Sequence, residues 1–166
     1  MSKILLKSTA GFVSCWLLFS CTMATSVGPM RLDIRQVDGK PAACLPVGDD
    51  AGPDSIRIRG VGVSRATGAV SPDVIYWDLD VPENAQPVYL RRGECLVYGQ
   101  TVAGALVHTP PKTLDANRYY GFSIIPAGDD AGPVYSSTFC VLKPAGGRVR
   151  IASPAKGQNP CGSLGF

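Results

Sequence analysis

The sequence predicts an all-β fold of about eight short antiparallel strands. Apolar side chains recur at every second position in several segments, which is the period of a strand buried on one face. No segment shows the spacing of an amphipathic helix, and glycine or proline marks nearly every boundary between the alternating segments. Short strands separated by such turns favour a sandwich or a barrel.

The alternation is clearest in residues 74–81. Ile75, Trp77 and the apolar residues that follow at every second position are predicted to face the core, and Tyr76 to face away from it. Asp38-Gly39 and residues 145–147 have the composition of tight hairpin turns. The strand-like segments are 32–37, 42–46, 55–63, 74–81, 94–98, 120–124, 135–143 and 148–151.

Residues 114–120 favour the sandwich over the barrel. This segment, with Leu114 and the adjacent Tyr119 and Tyr120, precedes a strand and looks like the corner of immunoglobulin-like and fibronectin type III-like domains. There a leucine and a tyrosine enclose a short turn, and the tyrosine hydroxyl bonds to backbone upstream. Trp77 lies between two cysteines in the order known from antibody domains, but the spacings differ, so we predict only that it packs in the core. The expected fold is an antiparallel immunoglobulin- or fibronectin III-like β-sandwich.

The first twenty residues predict export. Two lysines precede an apolar run at 10–19, which is much shorter than the roughly 20 residues that a membrane-spanning helix needs. Leu18 stands three places before Cys21 and Ser20 directly before it, which is similar to the lipobox of bacterial lipoproteins. Cys21 would then carry lipid and become the mature N-terminus. The alternative is ordinary cleavage after Ala24.

This interpretation divides the chain into four parts. Residues 1–20 form a signal peptide, 21–29 a tether, 30–152 a single sandwich domain, and 153–166 an irregular tail that only a cysteine could fix in place. Thr22, in place of aspartate, indicates outer-membrane delivery by resemblance to enteric sorting. We expect a periplasmic monomer held to the outer membrane by lipid.

Charge argues against a nucleic-acid partner. Of the sixteen basic residues two leave with the signal, so the mature chain, with thirteen acidic residues, is close to neutral. No cluster of lysine and arginine is present of the kind that a polyanion-binding surface requires.

The cysteines predict two disulfides in an oxidising compartment. Cys15 leaves with the signal and Cys21 would carry lipid, so four remain, and their pairing stays open. None of them has the Cys-x-x-Cys spacing of a metal or redox site, so we expect no metal. The four cysteines are Cys44, Cys95, Cys140 and Cys161.

Binding is a better prediction than catalysis. The chain lacks the motifs of serine hydrolases, P-loop proteins, dinucleotide enzymes and zinc proteases. Its one histidine, His108, stands close to two prolines and is predicted to be a solvated loop residue. We therefore expect neither an enzyme nor a cofactor.

An eight-residue stretch occurs twice, at 46–53 and at 126–133, with Val47 in the first copy and Ala127 in the second as the one difference. Each copy lies between two strand-like runs. Two solvated turns of similar composition would account for this. Alternatively, four carboxylates gather at one end of the domain to meet a basic partner or hold Ca²⁺, although each loop is too short and poor in ligands for a known calcium loop. These candidate partner-binding residues are Asp49, Asp50, Asp129 and Asp130.

The lipobox is followed, up to Ile151, by a series of short motifs. They are Gly-Lys-Pro-Ala-Ala-Cys at 39–44, Tyr-Trp at 76–77, Gly-Glu-Cys-Leu-Val-Tyr-Gly at 93–99, the corner at 114–120, and Phe-Cys-Val-Leu-Lys at 139–143. This order, with its three-cysteine framework, resembles the type VI secretion immunity periplasmic lipoprotein family. The two aspartate loops and the tail with Cys161 depart from the family pattern, so no binding residue is transferred.

The resemblance implies a lipid-tethered sandwich that binds an incoming toxin and blocks its active site. Two other functions remain open. One is a structural or assembly module of the envelope that uses a sheet edge for strand addition. The other is a glycan-binding sandwich, which would need exposed aromatics such as Tyr76, Tyr89 or Tyr135 on one face.

If Cys21 is lipidated, labelled palmitate will enter the wild-type protein and will not enter Cys21→Ser, because the acyl chains are attached at this residue. Autoradiography of the immunoprecipitated proteins measures this. Equal labelling of the two proteins, or no labelling of either, would exclude the anchor.

Overall fold

The computed structural model describes residues 28–48, 52–68, 73–128, 132–143, 148–154 and 161. Their regular structure is all strand, and none of them forms a helix able to span a membrane. The strands are β1 (Met30–Arg31), β2 (Asp33–Val37), β3 (Lys40–Cys44), β4 (Ser55–Arg65), β5 (Val74–Asp80), β6 (Tyr89–Arg91), β7 (Cys95–Val97), β8 (Leu106–Thr109), β9 (Arg118–Pro126), β10 (Tyr135–Leu142) and β11 (Arg150–Ala152).

These strands form a large and a small sheet. The large sheet has the order β1-β10-β9-β4-β5-β8, with β11 also on β10 and β6 also on β4, and the small sheet has the order β2-β3-β7. Among the described strands only β1 and β10 pair in parallel. The prediction of an all-β sandwich is confirmed. The sequence prediction missed β1, β6 and β8, which have two to four residues and are too short to show alternation.

β5 departs from the predicted alternation. Val63 of β4 lies opposite Trp77 and Ser64 lies opposite Ile75, so Tyr76 is an extra residue in the ladder. This bulge turns Tyr76 inward beside Trp77 and turns Ile75 outward, with 40% of its surface exposed. The predicted orientations of Ile75 and Tyr76 were therefore wrong, whereas that of Trp77 was right.

Aromatic side chains fill the space between the sheets. Trp77 packs edge-on against Tyr98, which follows β7, and against Phe122 of β9, with ring centroids 5.6 and 6.0 Å away. Tyr76 meets the edge of Tyr120 at 4.9 Å. The Trp77–Tyr98 contact joins a strand of the large sheet to the end of the small sheet, so it helps to fix the position of one sheet relative to the other.

The corner at residues 114–120 has the predicted geometry. The Tyr120 hydroxyl oxygen accepts a hydrogen bond from the Asp115 N–H at 2.7 Å and lies 3.3 Å from the carbonyl oxygen of the same residue. Asn117 takes a left-handed conformation with φ of 56°, which lets the chain reverse into β9. Burial raises the pKa of Tyr120 above its usual value, because the charged phenolate would lose solvent there.

The four predicted cysteines form two disulfides, Cys44–Cys95 and Cys140–Cys161. The first joins directly opposed residues of β3 and β7 within the small sheet. The second fixes Cys161, in the predicted tail, to β10 of the large sheet. Asp38-Gly39 forms the predicted hairpin turn between β2 and β3 with positive φ at both residues, as a type I′ turn requires. The hairpin predicted at 145–147 and the lipidation site at Cys21 lie outside the described residues.

The chain changes sheets at Leu32, between β1 and β2. Leu32 is buried, and its backbone N–H donates to the Ser137 hydroxyl at 3.0 Å. The same hydroxyl donates to the Leu32 carbonyl at 2.6 Å. The Gln36 side chain then bridges to β11, accepting from the Ile151 N–H and donating to the Val149 carbonyl. Side chains thus replace the backbone ladder where β1 leaves the large sheet.

We predict that Tyr120→Phe lowers the free energy of unfolding by about 1–2 kcal/mol, since the ring still packs but the Asp115 N–H loses its acceptor. Urea unfolding of the variant and of wild type measures the difference. Tyr89→Phe, at a side chain that is 57% exposed, is the matched control and should change stability by less than about 0.5 kcal/mol. Equal midpoints for both variants would contradict a role for the hydroxyl in the corner.

Candidate binding cleft

A cleft of about 630 Å³ opens at one end of the sandwich. It lies between the β2–β3 hairpin, the segment before β9, and the ends of β10 and β11 that meet there. Its described lining residues are Gly39, Lys40, Pro41, Tyr98, Gly99, Pro111, Lys112, Thr113, Leu114, Asp115, Ala116, Val141, Lys143, Val149 and Ile151.

Tyr98 holds one wall of the cleft in place. Its hydroxyl lies 2.7 Å from the carbonyl oxygen of Lys112 and 3.0 Å from that of Tyr76, and it donates its proton to these acceptors. Burial is the main cause that raises the pKa of Tyr98 to about 12. The Lys112 N–H in turn donates to the Tyr76 carbonyl at 2.9 Å, so the segment that follows β8 is fixed against β5.

Gly99 allows the small sheet to approach this wall closely. Its φ is +74°, and a Cβ atom at this position would lie 3.1 Å from two ring carbons of Pro111. A larger residue would be strained in this conformation and would also push the wall outward.

The rim of the cleft is positively charged. Lys40, Lys112 and Lys143 come from three separate segments and all have exposed side chains. Asp115 is the one carboxylate among the described lining residues. It accepts a hydrogen bond from the Tyr76 hydroxyl at 2.8 Å and lies 3.9 Å from the Arg65 guanidinium. Its charge is thus already partly balanced within the domain.

The floor of the cleft is apolar. Leu114 and Ile151 are partly buried and pack against the core, whereas Val149 is 38% exposed. Apolar surface surrounded by ammonium groups suits the binding of a ligand that carries both apolar and acidic groups. No group of three or more histidine, cysteine or acidic side chains close enough to hold a metal occurs in the described part of the chain.

The predicted site residues Asp49, Asp50, Asp129 and Asp130 lie outside the described residues, but the flanks of their loops are described. The Arg92 side chain donates to the carbonyls of Gly48, Gly52 and Pro53 and pairs with Asp54 at 3.2 Å. A Cβ at Gly52 would lie 3.2 Å from the hydroxyl of Tyr135, the residue that begins β10 after the second loop. The flanks of the two loops therefore meet.

This meeting point is at the end of the sandwich away from the cleft. Tyr135 begins β10 there, opposite Met30 of β1, and Val141 near the other end of β10 lines the cleft. The strand rises about 3.3 Å per residue, so roughly 20 Å separate the two positions. The chain thus enters the domain at the end opposite the cleft.

His108 was predicted to be a loop residue, and this prediction was wrong. It belongs to the edge strand β8, and its Nε2 atom lies 3.0 Å from an oxygen of Asp80 on β5. The other residues of β8, at 106, 107 and 109, do not alternate between apolar and polar side chains. A short edge strand has little buried surface on either face, so it needs no such alternation. Its side chain is half exposed, as a solvated position implies.

The cleft lysines have no signal in the sequence that marks them as one site. Lys40, Lys112 and Lys143 are far apart in the chain, and only the packing of the two sheets brings their segments to one end. The motifs at 39–44, 93–99, 114–120 and 139–143 each contain cleft residues, but nothing in a single sequence connects them. Compared with protein-family models, with curated proteins and with solved structures, the chain matches none of them.

We predict that Tyr98→Phe destabilises the protein most at neutral pH. The variant loses the hydrogen bond to the cleft wall, which costs about 1 kcal/mol. Wild type loses stability as pH rises from 10 towards 12, because Tyr98 deprotonates near 10.0 when unfolded but near 12 when folded. The variant lacks this loss, so the gap between the two proteins should narrow.

Urea unfolding at a series of pH values between about 8 and 12 measures that gap. Tyr89→Phe controls for the general effect of removing a phenol. A gap between wild type and Tyr98→Phe that is constant over the whole range would contradict the assignment.

Proposed function

We propose that the protein is an exported lipoprotein that binds a secreted toxin and neutralises it. The observation that carries this proposal is the position of the cleft, at the end of the sandwich opposite Met30, where the chain enters from the tether. A domain tethered through Cys21 would present its charged and apolar cleft away from the membrane. This is the direction from which a toxin delivered into the periplasm would approach.

Two further features support the proposal. Both disulfides suit an oxidising compartment such as the periplasm. The motif order resembles the type VI secretion immunity periplasmic lipoprotein family. Parts of four of its motifs line the cleft, at 39–41, 98–99, 114–116, and 141 and 143. An immunity protein needs a rigid surface shaped before its partner arrives, since a preorganised surface loses less entropy on binding.

An envelope assembly module is the second candidate. β8 pairs only with β5 among the described strands, and its Leu106 and Val107 are 58% and 55% exposed. An edge with exposed apolar side chains could accept an added strand. The glycan-binding alternative has less support, because Tyr76 and Tyr135 are buried and only Tyr89 of the three aromatic candidates is exposed.

We predict that a deletion strain will be killed by its siblings. Mixed on a surface with the parent strain, the deletion strain should lose at least an order of magnitude in survivors, because nothing blocks the incoming toxin. Plasmid-borne wild-type protein should restore survival. A version that lacks residues 1–20 should not, because it stays on the wrong side of the inner membrane.

The matched control replaces the attacker with a parent strain whose type VI secretion apparatus is inactive, against which the deletion strain should survive. Survival of the deletion strain against the active parent would contradict the proposal. Sensitivity to detergent and leakage of periplasmic enzymes in that strain would instead favour the envelope module.

A further inference from the structure

We propose that the cleft receives an acidic segment of the toxin that carries an apolar side chain. This inference rests on the proposed function and specifies the chemistry of the partner. Both halves of the inference come from the lining: the ammonium groups of the rim select carboxylates, and the apolar floor selects a hydrophobic side chain between them.

The positive charge of the rim comes from the placement of the three lysines around the cleft. The mature chain is close to neutral, so a general excess of basic residues does not account for it. Arg148 and Arg150, on either side of Val149, are also exposed and add positive charge. Asp38, which precedes Gly39, is exposed as well and adds one negative charge. Charge of one sign gathered at a concave surface attracts a segment of opposite charge and speeds its association.

Lys112 is the most firmly placed of the three ammonium groups. Its Nζ donates to the carbonyl oxygen of Ile75 at 2.9 Å, and an ammonium group has three protons to donate. Two donors therefore remain for a carboxylate. Because the wall that carries Lys112 is fixed through Tyr98, binding there costs little additional ordering.

The acidic group of the rim already has two partners within the domain, and its side chain is 58% exposed. Asp115 accepts a hydrogen bond from the Tyr76 hydroxyl, and Arg65 lies near Asp115 with its guanidinium 5.8 Å from the centre of the Tyr76 ring. The one carboxylate among the described lining residues is thus engaged on the domain side. An incoming carboxylate would pair with the lysine ammonium groups on the side of the rim that faces solvent.

The apolar floor would supply the binding energy that exposed ion pairs lack. Exposed ion pairs typically add little to binding, whereas a side chain buried at the centre of an interface contributes more. Val149, exposed in the free protein and next to the partly buried Ile151, is the surface that such a side chain would cover.

The test compares two triple variants that change the net charge equally. The cleft variant is Lys40→Glu, Lys112→Glu and Lys143→Glu. The control variant is Arg31→Glu, Arg59→Glu and Arg91→Glu, at exposed positions outside the cleft. A second cleft variant with glutamine at the three lysines removes the charge with less risk to folding, and urea unfolding confirms that each protein is folded.

The binding probe is a fluorescein-labelled peptide in which glutamates surround one leucine, added to the mature lipoprotein in detergent micelles. Fluorescence anisotropy should show salt-dependent binding that the cleft variants weaken about tenfold or more and the control variant leaves unchanged. A peptide with alanine in place of leucine should bind more weakly. Equal binding by all proteins, or none by wild type, would overturn the inference.

The sibling competition separates this inference from the proposed function. If wild type and the control variant protect the deletion strain but the cleft variants do not, both stand. If the cleft variants protect as well as wild type, the inference is wrong while the proposed function survives. If wild-type protein binds phosphatidylglycerol vesicles through these lysines and does not bind the peptide, the cleft contacts lipid, and the inference is overturned.

Discussion

The burial of two adjacent aromatic residues on β5 is the constraint on which much of the structure depends. Neighbours in a strand normally point to opposite faces, and the bulge lets both Tyr76 and Trp77 face inward. Trp77 then meets Tyr98 across the layers, and Tyr76 meets the corner residue Tyr120. Because the Tyr98 hydroxyl also bonds to the carbonyls of Tyr76 and Lys112, the same irregularity fixes the packing of the sheets and the wall of the cleft.

The two ends of the sandwich are built differently. At the end where the chain enters, the side chain of Arg92 bonds to carbonyls on both sides of the first aspartate loop and so closes it onto the turn after β6. At the other end the surface is concave, with lysines around apolar residues. The four aspartates predicted to bind a partner belong to loops whose described flanks lie at the end where the chain enters. The cleft that carries the functional proposal is at the other end.

Local signals made much of this fold predictable. Alternation predicted β4 and β9, composition predicted the turn at Asp38-Gly39, and the leucine and tyrosines of residues 114–120 predicted the corner. Features that depend on how strands align could not be predicted. The bulge at Tyr76 is a property of the register with β4, and the pairing of Cys44 with Cys95 follows from their position in one ladder. The cleft depends on three distant segments, so no single pattern in the chain contains it.

The change of sheets at Leu32 has a mechanical consequence for a domain held by its N-terminus. In a domain tethered through Cys21, as proposed, a pull on the N-terminal segment would reach β1 first and would load the pairing of β1 with the parallel strand β10. After β1, the Ser137 hydroxyl forms hydrogen bonds with both the N–H and the carbonyl of Leu32. The chain then continues into β2, so part of the force would reach the small sheet. If the domain is anchored as proposed, such tension would be shared between both layers, and the cleft at the far end would keep its shape.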